Sequence, residues 1–370
     1  MSRSGVLSEG LLIILMMLCV AMPFVNAESL LLDWASPTKA SLRSVFMLSQ
    51  IDGWAVGDEG VIIHWNGTDW SNATSPVASR LNGVFMISAD DGWAVGYDGT
   101  MLHWDGTYWS ASTFPGANLT SVSMININDG WVVGEGNILR WSGATWKVVT
   151  GPPEMKPLWS VSMVGTDDVW AVGASGTIIH WNGTKWSEVA SPTENDLMSV
   201  CMVNANDGWA VGEDSIIHWN GEWWNNSTIP MALGLTSAYM ISSNDGWAVS
   251  NSWHTLHWDG TKWNVVISPT INYTLRSVFM VDSDYGWAVG ENGIIVRWNG
   301  TEWIPEILSF PVMSSFMVAT FLAIMVYKRQ HIKSPHSSLS KPKALSRVSI
   351  RNRPDANTHE QQTQSCSLYR

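Results

Sequence analysis

Residues 51–70 read IDGWAVGDEGVIIHWNGTDW, and the chain is built from this unit. Its first tryptophan recurs as Trp54, Trp93, Trp131, Trp170, Trp209, Trp247 and Trp287, at intervals of 39, 38, 39, 39, 38 and 40 residues. A near-constant period of this length marks a repeat architecture, in which each copy buries its apolar face against its neighbours.

Each copy divides into four short strand-like pieces. The first is LRSVFML at 42–48, with counterparts such as LNGVFMI at 81–87 and LRSVFMV at 275–281. Alternation places Val45 and Met47 on one face of a strand, as it does the equivalent pairs of other copies. The second piece is WAVG, preceded in most copies by Asp-Gly (Asp52-Gly53, Asp91-Gly92, Asp129-Gly130, Asp207-Gly208, Asp245-Gly246). That dipeptide between two alternating runs predicts a tight hairpin turn. The third piece is VIIHW at 61–65, and the turn before it is one residue shorter in the third and fifth copies. The fourth begins at the last tryptophan, after Asn66-Gly67-Thr68 or Asp105-Gly106-Thr107, where the glycine supplies a positive φ. Proline-bearing connectors then cross to the next copy.

Four antiparallel strands per roughly 40-residue repeat specify a β-propeller blade, so seven copies predict an all-β, seven-bladed β-propeller over 28–305. Three tryptophans per copy account for 21 of the 25, and they are expected to pack between neighbouring sheets. SLLLDWASPT at 29–38 resembles the end of a blade. It is expected to complete the last blade as an N-terminal strand, displacing WIPEI at 303–307 and hiding the sheet edges.

The ends are of another kind. Residues 1–27 have the apolar stretch and small-residue cleavage pattern of a signal peptide. Ile307 to Tyr327 is 21 residues without a charge, long enough for a C-terminal transmembrane helix. Lys328-Arg329 follows at once, which makes 328–370 a disordered, basic cytoplasmic tail and places the propeller outside, on a single-pass membrane protein. The formal net charge of −12 conceals an asymmetry: 29 acidic and 10 basic residues lie between Glu28 and Glu306, against 2 acidic and 9 basic from Lys328 onward. So acidic a repeat region argues against a nucleic-acid partner. The three cysteines, Cys19, Cys201 and Cys366, fall in three different regions; Cys201 reads as a strand residue and not a nucleophile.

At GWAVGDEGVIIHWNGTDW the chain resembles the Asp-box, or BNR-type, propellers, and is most similar to the photosystem II assembly and stability factor-like family. The resemblance covers about residues 30–305 and implies a propeller. The pattern departs from the family's by a compressed H-W-[ND]-G-T-x-W, one or two residues short of a full Asp box, and by an extra tryptophan beside the histidine. The matched motifs build the blade, so no photosynthetic role is carried over.

Several constellations invite a chemical reading. His64, His103, His180, His218 and His257 share one repeat position, taken by Arg140 and Arg297 in the other copies. A metal needs ligands converging on one centre, whereas these stand one per blade; they read as polar strand residues. Asp52, Asp91, Asp129, Asp168, Asp207, Asp245 and Asp284 are expected as a ring of turn residues on one face. No metal, cofactor or catalytic residue is assigned. The expected role is a non-enzymatic protein- or ligand-binding or assembly module, with a protein or glycan partner at the outer cell surface and the membrane held through 307–327. A carbohydrate-active propeller, glycoside hydrolase or lectin, is the alternative; two carboxylates about 5–10 Å apart in a pocket would mark the hydrolase. Binding is placed where the copies disagree, in the turns before the third strand: Asp58, Glu59, Tyr97, Asp98, Glu135, Glu213, Asp214, Trp253 and Glu291. The connector with Pro152, Pro153, Lys156 and Trp159 is also distinct. Of eight N-glycosylation sequons, Asn66, Asn182 and Asn299 lie inside the repeat's own turn, and the loop asparagines Asn72, Asn118 and Asn272 are the favoured acceptors.

Overall fold

A computed structural model describes residues 36–306 apart from Ala117, Ile229, Ala232 and 268–272. The proposed signal peptide, membrane helix and tail, and Asn272, lie outside the described residues. Within them the chain forms seven four-stranded antiparallel sheets, each with its strands in chain order. The first blade consists of β1 (Leu42–Ser49), β2 (Asp52–Gly57), β3 (Ile62–Trp65) and β4 (Trp70–Asn72); the others occupy 81–113, 119–148, 158–188, 197–226, 235–266 and 275–305. This is the seven-bladed propeller that the repeat specifies.

The tryptophans hold the sheets together in a regular way. Trp54 of blade one lies 4.8 Å from Trp104 and 5.4 Å, edge to face, from Trp109 of blade two. The same trio recurs between every pair of neighbours, the last being Trp287 of blade seven with Trp65 and Trp70 of blade one. The extra tryptophan beside the histidine also ties down a turn. Trp65 donates its indole N–H to the Gln50 carbonyl at 3.0 Å, which pins the connection between β1 and β2.

Near the axis the first strands are cross-linked blade to blade. The backbone N–H of Val84 donates to Ser44 Oγ at 3.2 Å, and Val161, Val200, Ala238 and Val278 repeat the bond. Val45 N–H to Ser277 Oγ, 3.2 Å, joins blade seven to blade one. Blade two has Gly83 in place of the serine, and a side chain there would meet the Ser121 backbone at 3.3 Å. The rings of Phe85, Phe46, Phe279 and Tyr239 follow one another at 4.4–4.7 Å. Ser123, Ser162 and Cys201 take that repeat position in the other three blades. Cys201 Sγ accepts the Met240 N–H at 3.3 Å, and burial pushes its thiol up to about 11, far from nucleophilic use.

Three sequence expectations change. First, the last blade needs no N-terminal strand: Trp303–Pro305 is its fourth strand, with Trp298 opposite Trp303 and Val296 opposite Pro305. The reason is packing, since Trp303 is fully buried against Trp247 of the preceding blade, and displacement would expose it. The described end of the N-terminal stretch acts as a connector. Ser36 and Thr38 lie over Gly293 of blade seven as Ser191 and Thr193 lie over Gly176 of blade four, so ring closure reuses an ordinary connector. Second, Asp-Gly is not the hairpin turn. Ser49 pairs with Asp52 across Gln50-Ile51, and Ile51 N–H donates to Ser49 Oγ. Gly53 lies inside β2 because the Met47 side chain crosses over it; a Cβ there would be 2.3 Å from the Met47 sulfur. Third, Asp284 occupies the turn, one place before the ring of aspartates, whose position in blade seven is held by Tyr285.

Candidate functional site

The antiparallel order gives the ring two unlike faces. The hairpin face carries the turns after the first and third strands of each blade. The connector face carries the turns after the second strands and the blade-to-blade connectors. The predicted binding residues all fall on the connector face.

Histidine and aspartate are used up within their own blades. His64 Nε2 lies 2.8 Å from Asp52 Oδ1, and its ring lies 4.3 Å from that of Trp54. His103–Asp91, His180–Asp168, His218–Asp207 and His257–Asp245 repeat the pair at 2.7–2.9 Å. In blade three Arg140 grips Asp129 through two bonds of 2.9 and 2.8 Å; hydrogen bonding to that carboxylate, opposed by burial, holds the guanidinium above its ordinary value. In blade seven, where Tyr285 stands for the aspartate, Arg297 turns to Glu306 at 3.4 Å, with its guanidinium 5.6 Å from the Tyr285 ring centre. The aspartates are therefore partners of the third strand rather than turn residues. The sequence signal for this is the pairing of Asp and His eleven or twelve residues apart. Among the described residues no group of three or more His, Cys, Asp or Glu converges as a metal site would require.

On the connector face, the predicted residues divide into two sets. Asp58, Tyr97 and Glu291 are half-buried and bonded. Arg43 holds Asp58 at 2.8 and 3.1 Å, and Arg80 reaches the same carboxylate at 2.9 Å from blade two. Arg80 also donates to the Tyr97 hydroxyl at 2.7 Å, and Arg276 binds Glu291. Burial raises the Asp58 pKa, but the hydrogen bonds and charge of Arg43, then of Arg80, outweigh it and leave the carboxyl below its ordinary 3.8. Asp58→Asn is therefore expected to destabilise the protein by about 1–2 kcal/mol at neutral pH, as for loss of charged hydrogen bonds. A depressed pKa stabilises above the unfolded value, so the difference from wild type should shrink as pH falls below about 4. Denaturation curves from pH 7 to pH 3 check both parts.

The second set is Glu59, Asp98, Glu135, Glu213, Asp214 and Trp253, all exposed. Glu59, Asp98, Asp214 and Trp253 share a feature that sequence did not show: each has positive φ, between 50° and 60°. That region is tolerated by glycine, asparagine and aspartate and is costly for Glu59 and most of all for the bulky ring of Trp253. The turns are fixed from both sides. Asp58 N–H donates to Ser41 O at 2.9 Å, and Gly60, at φ 69°, faces the Val77 carbonyl of the following connector so closely that no side chain fits. Side chains are thus presented outward on rigid, strained turns. Trp253 is 49% exposed, and Met198 (37%) and Met231 (42%) also stand open on this face, in blades five and six. Sequence reasoning did not single out the two methionines; Met198 shares its repeat position with Trp159, and Met231 lies in the connector before blade six.

The distinct connector before blade four lines a groove of about 400 Å³. It is formed by 153–156 on one side and Gly176, Thr177, Glu188 and Val189 on the other. The repeat tryptophans are spent between neighbouring blades, and among the described residues the exposed tryptophans, Trp223 and Trp253, stand on opposite faces.

No protein-family model matches the chain, and no curated protein does. Solved structures do. The propeller is similar to YCF48 bound to a D1 peptide (19% identity, TM-score 0.61, covering 71% of this chain and 95% of that one). It is similar also to YCF48 from Cyanidioschyzon merolae (18%, 0.58, 71% and 96%) and to the WD40 β-propeller domain of Doa1 (15%, 0.58, 70% and 93%). At these identities the likeness establishes the fold.

Proposed function

We propose that this protein is a non-enzymatic propeller that captures a basic protein segment on its connector face. The observation that carries the reading is the set of exposed, outward-facing turn residues Glu59, Asp98, Asp214 and Trp253, all held at positive φ. The same turn conformation recurs at Ser175 and Asn292, so the repeat holds this position outward and the residue placed there sets its chemistry. Their chemistry is acidic with an apolar patch, which complements a lysine- or arginine-bearing segment with a hydrophobic anchor. YCF48, which shares the fold, is bound to a D1 peptide in one of its structures, so the scaffold is suited to peptide capture. The Asn-Gly-Thr turn before the last tryptophan is read as a compressed counterpart of an Asp box. Ile307 to Tyr327 anchors the chain, and the propeller stands outside the membrane, as the charge-free span followed by Lys328-Arg329 indicates.

The test is binding of a lysine-rich synthetic peptide to the full-length protein in a lipid nanodisc, at low and high salt. Replacing Asp98, Glu213 and Asp214 together by lysine should weaken binding at least about tenfold, and salt should weaken the wild type. Replacing Asp69 and Glu222, on the hairpin face, should leave it unchanged. Binding indifferent to the first set of changes would refute the assignment.

A further inference from the structure

The turn between third and fourth strands recurs in every blade, but three copies complete it as an Asn-Gly-Thr sequon, at Asn66, Asn182 and Asn299. These side chains use only one end. Asn66 Oδ1 accepts the Thr68 N–H at 2.9 Å, the Thr68 hydroxyl at 2.7 Å and the Asp69 N–H at 3.0 Å. Asn182 and Asn299 repeat all three bonds, with the hydroxyls at 2.8 and 2.7 Å. All three are exposed, and among the described residues their Nδ2 donates to nothing. The other described sequon asparagines have that nitrogen engaged. Asn72 donates to Pro37 O at 3.0 Å, Asn118 to Glu135 at 2.9 Å, Asn225 to Trp223 O at 3.3 Å and Asn226 to Pro192 O at 3.2 Å. Nor does the fold demand asparagine at the turn. Asp105 and Asp259 accept the equivalent backbone N–H groups at 2.9–3.0 Å.

We propose that Asn66, Asn182 and Asn299 are the N-glycosylation sites, which reverses the preference for Asn72 and Asn118. The proposal rests on the reading that the propeller stands outside the membrane. The sugar comes from a lipid-linked glycosyl pyrophosphate. Nδ2 attacks the anomeric carbon and a C–N bond forms. The anomeric C–O bond breaks, with its electron pair leaving on the pyrophosphate oxygen, and one Nδ2 proton passes to a base of the transferase. Three donors on Oδ1 stabilise the negative charge that this oxygen takes as Nδ2 loses its proton. All three glycans would stand on the hairpin face and leave the connector face open. A glycan on Asn118, which also accepts the Asp98 N–H at 3.2 Å, would cover the turns proposed to bind.

Glycopeptide mass spectrometry of the full-length protein from its own membranes tests this. Glycans are expected at the three turn asparagines. N66D, N182D and N299D keep the turn, as Asp105 and Asp259 show, and each should lower the mass by one glycan. D105N and D259N each complete a sequon at the same turn and should each add one, while N72D and N118D should change nothing beyond the residue mass. Glycans on Asn72 or Asn118 with the turn sites bare would overturn the proposal. So would a bare chain whose exposed Lys185 and Lys262 react, in intact cells, with an amine reagent that cannot cross membranes. A bare chain whose lysines are shielded in intact cells would instead overturn the outside placement, and the proposal with it.

Discussion

Trp287→Ala is expected to cost about 3–5 kcal/mol of folding stability, as for other buried tryptophans cut to alanine. Trp287 is 0% exposed, lies 4.8 Å from Trp65 and stands edge to face with Trp70 at 5.3 Å. These contacts sit at the one blade interface that the chain does not cross in continuous sequence. Because Trp303–Pro305 already completes blade seven, closure depends on side-chain and connector contacts: this trio, the Phe46–Phe279 ring contact, the bonds of Ser277 to Val45 and of Gln50 to Asp282 and Tyr285, and the connector over Gly293. Loss of the ring should therefore open blades seven and one before the rest. Hydrogen exchange should show amides of 42–72 and 275–305 losing protection first. The equivalent Trp209→Ala, between blades joined by the chain, should cost a similar amount in denaturant without that local bias.

Gly99→Ala is the second large effect, with an expected loss of about 2–5 kcal/mol. Gly99 has φ 69°, which costs an L-residue roughly 1–2 kcal/mol. An added Cβ would also meet the Phe114 carbonyl at 1.7 Å, and overpacking of this kind adds roughly 1–3 kcal/mol. Gly116 separates the two causes. Its φ is 82°, but nothing lies within 4 Å of a Cβ there, so Gly116→Ala should cost only about 1 kcal/mol. Urea denaturation of both variants checks the difference. Equal losses would mean that the turn does not press on the following connector.

Much of the molecule was legible because each copy states the same local rules. The period, the alternation in LRSVFML and the Asn-Gly-Thr turn led directly to seven four-stranded blades, and Gly67, at φ 92°, does what the turn chemistry required. Misreadings arose where one residue had two possible partners. Asp52 beside Gly53 looked like a turn, yet the carboxylate goes to His64, twelve residues on, and Gly53 makes room for Met47. Asp58 and Glu291 looked like free binding residues, but arginines brought near by the fold have already paired with them. The strained backbone at Glu59 and Trp253 had no sequence signature, since neither residue is one that prefers positive φ.

The sequence by itself determined the blade: its four strands, its Asn-Gly-Thr turn, its three tryptophans and the number of copies. These follow from contacts within about forty residues, where periodicity and turn chemistry act. Only the tertiary structure decided how the ring closes and which carboxylates remain free. It also decided which asparagines keep an unused Nδ2. Those outcomes depend on partners as distant as Ser277 and Val45, and on the close approach of one blade's connector to another's turn, which no local pattern encodes.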